Sequence, residues 1–474
     1  MNPSGGPSHP RPSEGAPGWI VAALVLVAAL AIVVWKAFAP GDPETGGVDL
    51  ALPMLSTSIA SAPSSEPAAS DPEPSTAGPS GTEMVEVCGL GWVPVDASGT
   101  WDMRTVRAVP DVVASQRAVL DAIRRDDGEF GAAIATSLEL HGAARDGDAG
   151  DPARALRCKD PACGASAEDK QFAAGLLEQL AKQGTATQDA RIYAIALREC
   201  ASAPEQGSCA LLNVDQWARL DPDNALPWLH ILKRARQRGD EAQTAEALYR
   251  IGTAARFEEG LFAAAGRIAD NAGAGDVDAI AAQLLALDAV LQAGARQAPF
   301  IDLSAVCRAP ATADANRRQA CDAAAATLAE RSDSALALVT GASLGRRLGW
   351  TDDRVDALRG LVLARSAMDN DSAPASAAVS SGDVPSTCSG ARRMLATFSR
   401  QGQLGELQPV RDWLGQEGRS IAGYAGEAHE LYRQREQATA VAVAADGASA
   451  AASNAPALAP SSASPYSASQ PPSR

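Results

Sequence analysis

WARLDPDNALPWL, residues 217–229, is the stretch whose reading decides the fold. One helix ends at Leu220-Asp221-Pro222, where proline brings no backbone N–H to continue the ladder. Another begins in a turn that contains Trp228. Trp228, Leu232 and Ala235 then share one helical face, and Gly239 stops that helix. Asp240 caps the next helix, with Gln243 three residues on in a capping-box-like relation. Leu248 and Ile251 supply its inner face. Two helices joined by so short a connection imply an antiparallel pair.

Helical periods extend outward from this pair. Phe172, Leu176 and Leu180 recur at four-residue steps and end at Gly184. Ile280, Leu284, Leu287 and Leu291 make one face of a helix closed by Gly294. Val355, Leu358 and Val362 follow a start signal at Thr351-Asp352-Asp353, and Pro409 opens a helix with Val410, Trp413 and Leu414. Only VEVCGLGWVPVD, residues 85–96, has strand character, with Val85 and Val87 alternating before Gly89 and Gly91. Alanine is abundant and aromatics are 4% of the chain, which favours helix over sheet. The expected fold class is therefore all-α. It is an irregular array of antiparallel helix pairs with one short N-terminal β element, after a single transmembrane helix.

The segment 217–257 resembles a tetratricopeptide-type repeat, in which a helix ends in Leu-Asp-Pro-x-Asn and the next opens with a Trp-containing turn. The resemblance implies stacked helix pairs with a concave, protein-binding face. Leu232 stands where the pattern has glycine and Ala235 where it has tyrosine. No second Leu-Asp-Pro and no fixed 34-residue period follow, so the pair is a degenerate one.

The chain ends are of another kind. Every residue from Trp19 to Trp35 is apolar, and Trp19–Ala39 gives roughly 31 Å of helix against a hydrocarbon core of about 30 Å. Tryptophans bracket the run at its two interfaces. A cleaved signal peptide is the competing reading, since Ala37-Phe38-Ala39 fits a cleavage site. Pro40 directly after that site disfavours cleavage, and the run is long. Arg11 and Lys36 nearly balance across the span, but no Lys or Arg lies between Lys36 and Arg104. The expected location is the bacterial inner membrane, with the N-terminus cytoplasmic and residues 40–474 periplasmic. The expected organisation is a leader at 1–18, the span at 19–39 and a disordered Pro/Ser/Ala-rich tether at 40–82. A helical domain follows at 83–300, then a second helical part at 301–438, either continuous with the first or separate from it, and a disordered Ala/Ser/Pro tail at 439–474.

Eight cysteines agree with an oxidising compartment. Cys158 and Cys163, Cys200 and Cys209, and Cys307 and Cys321 form local couples, which leaves Cys88 and Cys388. Local pairing is the most economical of 105 arrangements. Buried free thiols and a metal site are the alternatives, although no His lies near Cys158 and Cys163.

Chemistry is sparse. The net charge is −16 and arginines sit beside acids, so no basic face exists for nucleic acid. Gly341-Ala342-Ser343-Leu344-Gly345 matches a nucleophile elbow with Asp369 and His429 downstream, but that motif needs a strand before the serine and this stretch has a helical period. Glu258-Glu259 reads as a solvent-facing carboxylate pair. No catalytic, cofactor-binding or metal residue is assigned, and no cofactor is expected. The expected partners are membrane lipid at Trp19–Ala39 and an envelope protein. The expected function is an envelope-facing, membrane-anchored protein-binding or scaffolding module, with an envelope hydrolase-like enzyme as the alternative.

Overall fold

The computed structural model describes residues 84–95, 101, 103–142, 166–295, 299–371 and 385–426. The leader, the Trp19–Ala39 span, the 40–82 tether, the 439–474 tail, the Cys158–Cys163 couple and His429 lie outside them. Within them the protein is mostly helical, with one two-stranded sheet.

The sheet is a hairpin. β1 (Met84–Val87) pairs antiparallel with β2 (Gly91–Pro94), with Val85 opposite Val93. Gly89 turns the chain at φ 73°, a backbone region that a side chain disfavours. A Cβ there would also lie 2.8 Å from the Val277 backbone nitrogen, so the turn sits directly on a helix start.

Helices follow in chain order. The first group is α1 (Met103–Arg107), α2 (Pro110–Asp126), α3 (Gly128–Leu140), α4 (Ala167–Ala186) and α5 (Ala190–Cys200). The second is α6 (Val214–Leu220), α7 (Ala225–Arg238), α8 (Glu241–Thr253), α9 (Ala263–Asp270) and α10 (Asp276–Ala295). The third is α11 (Phe300–Val306), α12 (Ala315–Glu330), α13 (Ala335–Leu348), α14 (Asp352–Asp371), α15 (Cys388–Leu404) and α16 (Gln408–Gln416).

The helix boundaries have local causes. Asn224 opens α7 by accepting a hydrogen bond from the Leu226 amide at 3.1 Å, and Gly239 closes it at φ 68°. Asp240 caps α8 through the Gln243 amide at 2.9 Å. Ser334 caps α13 and Thr387 caps α15 in the same way.

The helix α10 is central. Every residue from Ala279 to Leu287 is buried, with α2, α9 and α15 packed around it and the hairpin against its start. A helix buried on all sides needs no polar face. It is the one described helix long and apolar enough to cross a membrane, over Asp276–Gly294, and 67% of that window is buried inside the protein.

One apolar cluster runs from Tyr193 through Trp217, Leu248, Phe257 and Leu303 to Leu348, and so crosses residues 300 and 301. A second joins Leu120, Ile134, Leu285 and Phe398. Small residues set the closest crossings. A Cβ on Gly341 would meet the Ala325 carbonyl oxygen at 2.6 Å, which brings α13 tight against α12. On α4 the buried stripe is Ala173, Leu177 and Leu180, while Phe172 is exposed. The large-residue period named Phe172 and Leu176 instead, because it overlooked how close a neighbour can come to an alanine.

Candidate functional site

The cysteines act as clasps. The structure joins Cys200 to Cys209, with Cα atoms 5.3 Å apart, and Cys307 to Cys321 at 5.6 Å. It joins Cys88 to Cys388 across 300 residues, tying the hairpin to the first turn of α15. The Asp276 carboxylate lies within 4.8 Å of both of these sulfurs. A disulfide offers no thiolate to a metal, so this grouping is a clasp and not a ligand set.

The site is built on a ribbon of turns. The connection after α8 lies between two other connections and bonds to both. On one side the Ala225 amide donates to the Arg256 carbonyl at 2.9 Å, and the Arg256 amide donates to the Asp223 carbonyl at 3.1 Å. On the other side the Phe257 amide donates to the Arg331 carbonyl at 3.0 Å, and the Asp333 amide donates to the Phe257 carbonyl at 3.2 Å. The Glu406 amide then donates to the Asp333 carbonyl at 2.9 Å. Backbone groups that interhelical loops normally give to water are thus zipped together. Asn224 locks one edge. Its Nδ2 donates to the Asp221 carboxylate at 3.0 Å and the Glu258 carbonyl at 3.2 Å, while its Oδ1 accepts from the Leu226 and Glu258 amides at 3.1 Å each. That uses the full capacity of a carboxamide.

Two clefts flank the ribbon and share the wall formed by Glu258, Gly260 and Leu261. The first, about 370 Å³, lies between α3, α5 and the 256–263 connection. Ile134, Leu138, Leu226 and Leu261 give it an apolar lining. At its rim the Arg191 guanidinium stacks 4.2 Å from the centre of the Phe130 ring and pairs with Asp189 at 2.6 Å. The hydrogen bond from Arg191 holds the Asp189 carboxyl below its ordinary range. Arg256 bridges Asp221 and Glu258 on the opposite rim.

Glu199, largely buried, lies on the lining of this cleft beside Ser137. It accepts from the Ser137 hydroxyl at 2.5 Å and meets His141 Nε2 at 2.9 Å. Both groups thus bind one carboxylate. A nucleophilic serine needs its hydroxyl hydrogen-bonded to the imidazole, so this is an anchoring cluster and not a relay. His230 packs against Trp217 with ring centres 5.6 Å apart, and burial lowers it to about 4, which keeps it neutral. Ser343 lies within α13, with helix on both sides of it and no strand before it.

The sequence did not point to these clefts. Glu258-Glu259 lies in a connection and not on a helix face, and it forms a wall of the site. The one available signal was the Asn of the Leu-Asp-Pro-x-Asn junction. No protein-family model matches the chain, and neither a curated protein nor a solved structure matches it.

Proposed function

We propose that this chain is a single-pass membrane protein whose helical domain faces the cell envelope and binds a partner protein in the first cleft. The observation that carries the reading is the cleft itself: an apolar floor, ion-paired rims and a wall fixed by zipped backbone. Its rims hold Asp189, Asp221, Glu258 and Glu259 against Arg191, Arg198 and Arg256. The complementary partner is an apolar segment that carries a basic residue.

The address rests on Trp19–Ala39, on the tether free of basic residues, and on disulfides that persist outside the cytosol. The partner-binding role draws on the repeat-like junction. An envelope hydrolase is the weaker reading, since Ser343 is mid-helix and Ser137 hydrogen-bonds to a carboxylate and not to the imidazole.

A topology fusion tests the address. A reporter active only after export, joined after residue 82, is expected to be active, and thiols are expected to label only after reduction. A reporter active only in the cytosol, or freely labelled native thiols, overturns the address.

A further inference from the structure

The clasps differ in their access to solvent. Cys200, Cys209, Cys307 and Cys321 are between 0% and 3% exposed, so a reagent meets those bonds only when the fold opens. Cys88 is 8% exposed, and Cys388 is partly exposed as the first residue of α15. Cys88–Cys388 is therefore the accessible bond among the described disulfides, and it is also the one that closes 300 residues. Thiol–disulfide exchange depends on access to a sulfur and on how well the departing sulfur is stabilised.

Both departing sulfurs are provided for. The Cys88 sulfur lies 3.7 Å from the Asp276 carbonyl oxygen, where a liberated thiol finds an acceptor. Cys388 opens a 17-residue helix, and the start of a helix favours a thiolate. The Asp276 carboxylate beside both sulfurs works against that charge. Arg392, one turn along α15, pairs with Asp276 at 2.6 Å and offsets it. The hairpin depends on the clasp, because two strands alone are marginal. Its other holds are the Cys88 amide, which donates to the Ser386 carbonyl at 2.8 Å, and the packing of Val87 and Val93 in one apolar cluster with Ile280 and Leu284.

We propose that Cys88–Cys388 is a redox-regulated clasp, reduced and re-formed by a protein dithiol, and that opening it loosens the hairpin from α10 and α15. One thiolate of the dithiol attacks the more exposed Cys388 sulfur. The S–S bond breaks, Cys88 leaves with the bonding pair and takes a proton, and a mixed disulfide forms on Cys388. The second thiol of the dithiol gives up its proton and attacks its partner sulfur, and Cys388 leaves as a thiolate at the start of α15. The dithiol is oxidised to a disulfide, and the two electrons it loses reduce the clasp to two sulfhydryl groups. The inference does not rest on partner binding, which uses the first cleft.

The test is timed reduction of the native full chain in lipid nanodiscs by dithiothreitol, quenched with an alkylating reagent and read peptide by peptide by mass spectrometry. Cys88 and Cys388 are expected to be labelled at least about tenfold sooner than Cys200, Cys209, Cys307 and Cys321. Arg392→Gln uncovers the Asp276 charge and is expected to slow that reduction about threefold, while Asp276→Asn is expected to speed it by a similar factor. The chain reduced at this bond alone is expected to melt at least about 5 °C below the oxidised chain. Labelling of all six cysteines together, or of either buried pair first, overturns the proposal. So do variant rates that fail to move in opposite directions, or a Tm that opening Cys88–Cys388 leaves unchanged. Loss of partner cross-linking at the first cleft, with this order of reduction intact, would count against the proposed function alone.

Discussion

Asn224 holds both backbone groups of Glu258, donating to its carbonyl at 3.2 Å and accepting from its amide at 3.1 Å. A single side chain thereby does what a β-bridge does, between residues 34 apart. Asn224→Ala is expected to leave buried backbone groups unpaired and to cost about 2–4 kcal/mol, several times a surface hydrogen bond. Asn224→Asp is expected to be no milder, because it loses both donors and faces Asp221. Chemical denaturation of the two variants checks this, and either one unfolding like the parent would contradict the role given to Asn224.

A second prediction concerns Gly266 and Gly402, where α9 and α15 cross. A Cβ on Gly266 would lie 2.7 Å from the Gly402 Cα, and one on Gly402 would lie 2.6 Å from the Gly266 Cα. Alanine at either position is expected to cost about 1–3 kcal/mol through overpacking. Gly175→Ala in α4 is the control. It has open space around it, so it is expected to be neutral or to stabilise by about 0.5–1 kcal/mol. Thermal melts of the three variants order them.

How much of this could be read in the sequence varies with the physical cause. Helix caps and stops are local, so Gly239, Asp240 and Pro409 could be assigned from their neighbours. The Val85–Val87 alternation likewise marked a β element, though not its pairing with Gly91–Pro94 as a hairpin. Packing faces were less legible. In α4 the buried stripe turned on Ala173, and in α10 the helix is buried all round, so the face through Ile280 and Leu284 was only part of it. The Gly266–Gly402 crossing joins positions 136 apart, and no local pattern reports that. The clefts depend on the alignment of four turns from distant parts of the chain, so Asp333, Gln401 and Arg411, which line the second, carried no signal.

The third prediction follows from Asp333, whose carboxyl is pushed up to about 7 when folded, by burial and by Glu258, Glu259 and Glu406 nearby, and lies near 3.8 otherwise. Between those values the folded state binds more protons than the unfolded state. Stability is therefore fully present below about pH 4 and is lost as pH rises through about 7, a change on the order of 4 kcal/mol. Asn is a neutral stand-in for the protonated acid. Asp333→Asn is thus expected to raise the Tm most above pH 7, with the gain shrinking as pH falls toward 4. A Tm difference that does not vary with pH would contradict this.

The fourth concerns the clasps. Cys88–Cys388 closes a span of 300 residues and Cys200–Cys209 one of 9. In the chain-entropy view the first restrains the unfolded state by about 5–6 kcal/mol and the second by about 3 kcal/mol. Paired Ser substitutions are expected to follow that order in urea unfolding. Equal losses, or the reverse order, would show that native packing and not chain restraint sets the effect.

Partner binding in the first cleft is tested most directly by a photo-cross-linking residue placed at Gln292, which lines the first cleft and not the second, in the full chain in living cells. A second probe goes at Tyr249, which is 58% exposed and does not line either cleft. A discrete protein adduct is expected at Gln292, absent at Tyr249, and lost when Arg191→Glu reverses the charge at the cleft rim. No adduct at Gln292, or the same adduct from both probes regardless of Arg191, would contradict the account.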